Sequence, residues 1–86
     1  MTKKNIEDIG RQIVADTLGI AAEECDDNAN LADDLGADSL DAIDMIMRIE
    51  NKFDITVEEG EAEQVKTVKD FLDLLVIKVK PDEDAE

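Results

Sequence analysis

The sequence predicts an all-α fold, a small antiparallel bundle of three main helices and one short helix, with a long loop between the first and second helices. Apolar residues recur at helical spacing in three separate segments of the 86-residue chain. No segment alternates between apolar and polar residues strongly enough to indicate a strand. A chain of this length forms one domain, expected at residues 1–80 and followed by an acidic tail at residues 81–86.

The first helix is expected at about residues 5–18. Its apolar residues recur at helical spacing and are Ile6, Ile9, Ile13, Val14 and Leu18. Thr2 or Asn5 can cap its beginning, and Gly19 lies just past its end, where glycine commonly stops a helix. Gly10 lies in its middle and is expected to cost roughly 1 kcal/mol relative to alanine.

A long polar connection, residues 20–38, separates the first helix from the second. A loop of this length inside a small domain is uncommon and usually functional. Leu31 and Leu35 are expected to hold it against the core, and the acids that flank Cys25 are expected to raise the pKa of this loop cysteine. Residues 26–30 resemble the start of a calcium-binding loop, but Leu31 stands where glycine is required, so no metal site is assigned.

The second helix, expected at about residues 39–53 after Asp38 as its N-cap, carries two apolar stripes. At about 100° per residue, the larger stripe consists of Ala42, Met45, Ile46, Ile49 and Phe53. The smaller stripe, roughly 140° away on the same wheel, consists of Leu40, Ile43 and Met47. A helix at the surface of a bundle needs only one stripe for the core. The larger stripe is therefore assigned to the core and the smaller stripe to solvent.

Acidic residues border the smaller stripe, with Asp41 and Asp44 on one side and Glu50 on the other. An apolar strip flanked by acids is typical of a transient docking surface, because apolar burial supplies affinity and the acids steer a basic partner. The alternative is that the small bundle buries this helix on nearly all of its sides.

The last two helices follow a short connection. A short acidic helix is expected at about residues 59–64. The final helix begins after Thr67, and Asp70 three residues later completes a capping box. Its apolar face consists of Val68, Phe71, Leu72, Leu75 and Val79. Pro81 is expected to stop it.

Charge and composition limit the classes of function. The chain has 24 acidic and 9 basic residues and a formal charge of −15, which disfavours nucleic acid and anionic membranes and favours basic protein surfaces. No apolar run approaches the roughly 18 residues of a membrane span, so no membrane insertion is expected. The single cysteine excludes an internal disulfide and fits the cytoplasm or an organelle matrix. The absence of histidine excludes a catalytic site built on imidazole.

Ser39 is expected at the start of the second helix, beside the smaller stripe. Free backbone N–H groups and the positive end of the dipole make this position suitable for a phosphate group. Asp38 and Asp41 oppose that benefit, and their better use is to recruit a basic enzyme that installs such a group. The alternative interpretation is an ordinary serine at a helix start.

Around Ser39 the stretch DLGADSLDAIDMIMRIENKFDI, residues 34–55, resembles acyl carrier proteins. The resemblance extends to residues 18–20 and 58–75. It implies that a holo-carrier synthase transfers 4′-phosphopantetheine from coenzyme A to Ser39. The arm then carries growing acyl chains as thioesters between separate enzymes of dissociated (type II) fatty acid biosynthesis. The resemblance also implies a protein that is not itself an enzyme, and we expect a monomer.

The resemblance assigns further residues to two sites. The docking face for the basic patches of partner enzymes consists of Asp38, Leu40, Asp41, Ile43, Asp44, Met47 and Glu50. The pocket that shelters the acyl chain is expected to involve Ile46, Ile49, Phe53, Val65 and Leu72. The helical wheel, without the resemblance, leads to nearly the same docking face.

Three residues of the second helix depart from the usual pattern of these carriers. Arg48 and Lys52 add positive charge, and Asn51 stands where an acid is usual. They leave open a specialised carrier for polyketide, lipid or aminoacyl substrates. The alternative from another class is an acidic helical interaction module without a prosthetic group.

Because the acidic side chains repel one another, we expect salt or a divalent cation to stabilise the fold. Thermal unfolding should show a higher midpoint after addition of sodium chloride or magnesium chloride. An unchanged midpoint in both salts would contradict the expected self-repulsion.

Overall fold

The computed structural model describes residues 1–81, so the acidic tail expected at residues 81–86 lies, apart from its first residue, outside the described residues. The elements are α1 (Lys3–Leu18), a 3₁₀ turn (Ala22–Glu24), α2 (Ser39–Phe53), α3 (Glu59–Glu63) and α4 (Val68–Val79). Within the described part the only β pairing is an isolated bridge between Asn30 and Thr67. The predicted small all-α bundle is therefore confirmed.

Short polar side chains set the beginnings of the main helices. The hydroxyl of Thr2 accepts a hydrogen bond from the N–H of Asn5 at 3.2 Å, so α1 begins two residues earlier than the apolar pattern indicated. Thr67 and Asp70 form the predicted capping box at α4. Because the carboxylate of Asp70 also accepts the N–H groups of Lys66 and Thr67, its pKa is lowered.

The core lies where α1 packs against both α4 and α2. Its fully buried side chains come from all three helices and from the loops. They are Ile6, Val14, Ala15, Cys25, Leu31, Met45, Ile49, Val57, Val68, Phe71, Leu72 and Leu75. Of the described helices, none is long and apolar enough to cross a membrane.

Gly10 lies where α1 packs against the side chains of α4. A Cβ atom added there would lie 2.8 Å from the Cδ2 atoms of both Leu72 and Leu75, which is closer than carbon atoms can pack. A side chain at this position would therefore force both buried leucines to shift, so the glycine that the sequence presents as a weak point of α1 suits the helix packing.

The long loop between α1 and α2 is held along the beginning of α4. Three backbone hydrogen bonds join the two segments: Leu31 N–H to Lys66 O at 2.9 Å, Val68 N–H to Ala29 O at 3.0 Å, and Lys69 N–H to Asp27 O at 2.9 Å. Arg11 of α1 holds the same loop through the carboxylate of Asp27 at 2.7 Å and the carbonyl oxygen of Cys25. The loop that precedes Ser39 therefore has a fixed path.

The side chain of the loop residue Cys25 belongs to the core, which the sequence pattern did not indicate. It is buried in the core and is not a surface residue of the loop. Burial is the main cause that raises the pKa of its thiol, and Glu24 and Asp26 add to the rise while Arg11 opposes it. The thiol acts as a small apolar side chain of the core.

Replacement of Gly10 by alanine should destabilise the protein by about 1–3 kcal/mol, because the new methyl group collides with Leu72 and Leu75. Helix propensity alone would give the opposite sign, a gain of roughly 1 kcal/mol. The free energy of unfolding, measured with urea, distinguishes the two.

Gly60 of α3 provides the matched control, because nothing lies within 4 Å of a Cβ added there. Gly60→Ala should leave stability unchanged or raise it by up to about 1 kcal/mol. A Gly10→Ala protein as stable as Gly60→Ala would show that α1 and α4 are not in close contact.

Candidate functional site

Ser39 is the first residue of α2, and its side chain is exposed. The two aspartates that flank it form a capping box: Asp38 Oδ1 accepts the N–H of Asp41 at 2.9 Å, and Asp41 Oδ2 accepts the N–H of Asp38 at 3.1 Å. Within residues 1–81 no hydrogen bond involves the hydroxyl of Ser39. The serine is held by the backbone of a capped helix and is presented to solvent.

The smaller apolar stripe of α2 faces solvent, as the helical wheel predicted. Leu40 is 73% exposed, Ile43 55% and Met47 54%. Met45 and Ile49 of the larger stripe are fully buried in the core. The alternative in which the bundle covers α2 on nearly all sides is therefore excluded.

Ala42 departs from this two-stripe pattern. The wheel places it in the larger stripe, yet it is exposed. It lines a cavity that opens beside Ser39, so the core-facing side of α2 is uncovered at its first turns. Helical periodicity identifies the side that faces inward, but it does not show whether another element fills the space there.

The cavity has a volume of about 770 Å³ and lies between α2, α3 and the segment before α4. Of the residues expected to form an acyl pocket, Ile46 and Val65 line it. Ile49 and Leu72 are instead buried in the core, and Phe53 is half-buried and does not line the cavity. Apolar lining residues that were not expected there are Leu31, Ala37, Ala42, Met45, Val57, Ala62 and Phe71, together with Ile43 and Met47 of the exposed stripe.

Two polar contacts tie the region of α3 to the helices on either side of the cavity. Glu61 of α3 pairs with Lys78 of α4 at 2.7 Å, and Glu50 Oε2 of α2 accepts the N–H of Val57 at 2.9 Å. The pKa of Glu61 is lowered because its carboxylate accepts the N–H of Glu58 and pairs with Lys78. The small side chain of Ala62 faces the cavity between these contacts.

The acids expected on the docking face have different surroundings. Asp38 is exposed and Asp41 half-buried, and together they cap the helix, while Asp44 is paired with Arg48 at 3.0 Å. Glu50 is half-buried, and its carboxylate joins α2 to the segment before α3. Among the described residues, no group of three or more possible ligands is arranged to hold a metal ion.

Residues 11–75 match the protein family described as the phosphopantetheine attachment site. The matched segment covers most of the chain, from Arg11 on α1 to Leu75 on α4, and includes Ser39, the exposed stripe and the cavity. Proteins of this family carry covalently attached 4′-phosphopantetheine and act as carriers that interact with partner enzymes. The chain belongs to the phosphopantetheine attachment family and is a carrier protein.

Proposed function

We propose that this chain is a discrete acyl carrier protein of dissociated fatty acid biosynthesis, with 4′-phosphopantetheine attached to Ser39. The position of Ser39 is the observation that supports this proposal most strongly. It is exposed at the first residue of α2, beside both an exposed apolar stripe and a cavity of about 770 Å³. When bound, the arm supplies a thiol that holds acyl groups as thioesters.

The beginning of α2 fits a phosphodiester on Ser39. The N–H groups of Ser39 and Leu40 lie in the first turn, where the helix offers no acceptor for them. These groups and the positive end of the helix dipole offset the charge of a phosphate group. Asp38 and Asp41 keep this turn in place through their reciprocal hydrogen bonds.

The carrier itself needs no base beside Ser39 under this proposal. A holo-carrier synthase supplies the base that removes the proton from the hydroxyl, and the chain contributes an accessible serine in a fixed position. Carrier domains of this family are non-catalytic, and the chain contains no histidine. We therefore propose that it is not an enzyme.

The exposed stripe is the proposed contact surface for that synthase and for the fatty acid synthesis enzymes. Leu40, Ile43 and Met47 offer apolar area, and methionine adapts to differently shaped partners. Asp38, Asp41 and Asp44 border the stripe, and the net charge of −15 increases the rate of encounter with basic surfaces. Contacts of this kind suit a monomer that visits several enzymes in the cytoplasm or an organelle matrix.

The cavity is the proposed shelter for the acyl chain. Ile46 of α2 and Val65 after α3 face it from opposite elements, and Phe71 lines it from α4. Each CH₂ group moved from water into such a cavity gains about 0.8 kcal/mol. Sheltering therefore favours a chain of several carbon atoms over a short one.

A specialised carrier for polyketide, lipid or aminoacyl substrates is the second candidate. Arg48 and Lys52 favour it, because they place two positive charges on α2, where partners of a common fatty acid carrier meet acids. Such a carrier would use the same serine and the same cavity, so the two candidates differ in their partner enzymes.

Incubation of the apo protein with coenzyme A and a promiscuous phosphopantetheinyl transferase should add one phosphopantetheinyl group to Ser39. Intact-mass spectrometry measures the gain, and peptide mapping locates it. The variant Ser39→Ala should show no gain, because the accepting hydroxyl is absent.

Ser39→Ala must retain the thermal unfolding transition of the wild type, so that lost modification is not lost folding. A folded wild-type protein without any gain in mass would overturn the carrier proposal and leave the acidic interaction module. A gain retained in Ser39→Ala would assign the arm to another residue.

Ala62→Phe should expose a long acyl chain by placing a ring in the cavity. Expulsion of two CH₂ groups costs about 1.6 kcal/mol, which lowers the sheltered fraction roughly tenfold. Cleavage of an octanoyl thioester by hydroxylamine should therefore accelerate, while cleavage of an acetyl thioester should not change.

Ile77→Phe is the matched control, because Ile77 is an exposed residue of α4 that does not line this cavity. Equal cleavage rates for the octanoyl forms of Ala62→Phe and Ile77→Phe would place the acyl chain outside the cavity.

A further inference from the structure

We infer that α2 presents a docking face with negative charge near Ser39 and positive charge farther along the helix. It fits a partner protein with a basic group near Ser39 and a carboxylate farther along the helix, and it selects against a uniformly basic partner. This inference rests on the proposed carrier function and specifies the chemistry of the partner.

The exposed charges of α2 are divided by sign between its two halves. Asp38, Asp41 and Asp44 lie at its beginning, and Arg48 and Lys52 lie in its second half, all of them exposed except half-buried Asp41. The second half also contains Glu50, which is half-buried and whose carboxylate accepts the N–H of Val57. Arg48 follows Asp41 by seven residues, which corresponds to about 10 Å along the helix axis. The sign of the surface therefore changes within the length of one docking contact.

Arg48 lies beside Asp44, the acid that borders the exposed stripe. At about 100° per residue, Asp44 falls about 60° from Met47, and Arg48 falls about 40° beyond Asp44. Neither Arg48 nor Asp44 is covered, since their side chains are 45% and 49% exposed. A partner that covers the stripe and Asp44 therefore meets both a negative and a positive charge.

The ion pair between Asp44 and Arg48 makes the second half of α2 selective for the charge of a partner. Nε of Arg48 lies 3.0 Å from Oδ1 of Asp44, so a partner cation aimed at Asp44 encounters a guanidinium already in place. Within the described residues Lys52 has no ion-pair partner. A partner carboxylate opposite these cations gains attraction, whereas a partner cation there meets repulsion, and both effects weaken with salt.

The test uses the apo protein, coenzyme A and a holo-carrier synthase whose docking patch is uniformly basic. Arg48→Gln/Lys52→Gln should lower the KM for the carrier by about three- to tenfold at low salt, because the repulsion is removed. The kcat should stay unchanged, because Ser39 and its helix cap are intact. The difference should shrink as sodium chloride is added.

Lys3→Gln/Lys80→Gln is the matched control, with the same change in net charge outside α2. A KM equal to that of the wild type in Arg48→Gln/Lys52→Gln, or an equal fall in the control, would overturn the inference. In either case modification of Ser39 still proceeds and the carrier proposal stands. Absence of modification in every protein would overturn the carrier proposal and this inference together.

A second experiment introduces a carboxylate into the docking patch of the synthase. Basic residues of its docking patch are replaced by glutamate one at a time. One distal replacement should lower the KM for the wild-type carrier more than for Arg48→Gln/Lys52→Gln, as a double-mutant cycle measures. Replacements that affect both carriers equally at every position would contradict a carboxylate facing Arg48.

Discussion

The close contact between α1 and α4 at Gly10 is the constraint on which the rest of the structure depends. There the buried side chains of Leu72 and Leu75 lie directly against the backbone of α1. α2 then packs chiefly on α1 through Met45 and Ile49, and it has few close contacts with α3 and α4. The exposed stripe of α2 and the cavity beside it, which Ile43 and Met47 of the stripe also line, both accompany this one-sided packing.

The polar residues around these helices connect and position the secondary-structure elements more than they contribute to the free energy of folding. Exposed ion pairs contribute little free energy in general, whereas the half-buried pair between Glu61 and Lys78 joins α3 to α4. The carboxylates of exposed Asp38 and half-buried Asp41 satisfy backbone N–H groups and still contribute negative charge at the surface. One set of acids thus builds the beginning of α2 and gives it the negative field that a basic partner meets.

Most of the fold could be predicted from the sequence, because caps and periodicity are local signals. Thr2, Asp38 and Thr67 mark the starts of the main helices, and the exposed stripe of α2 follows from its spacing. The cavity could not be predicted, because it is a space between elements that are distant in the chain. The burial of Cys25 and the packing role of Gly10 were missed for the same reason, since each depends on a neighbour from another helix.

The one-sided packing of α2 leaves a cavity that we propose receives the acyl chain of the carrier. Methyl NMR spectra of the protein with an unacylated arm and with a long acyl chain on the arm test this proposal. We expect the largest chemical-shift changes at Ile46 and Val65, which line the cavity, and little change at Ile6 in the core. Changes confined to exposed Leu40, or changes that leave Ile46 and Val65 unaffected, would contradict it.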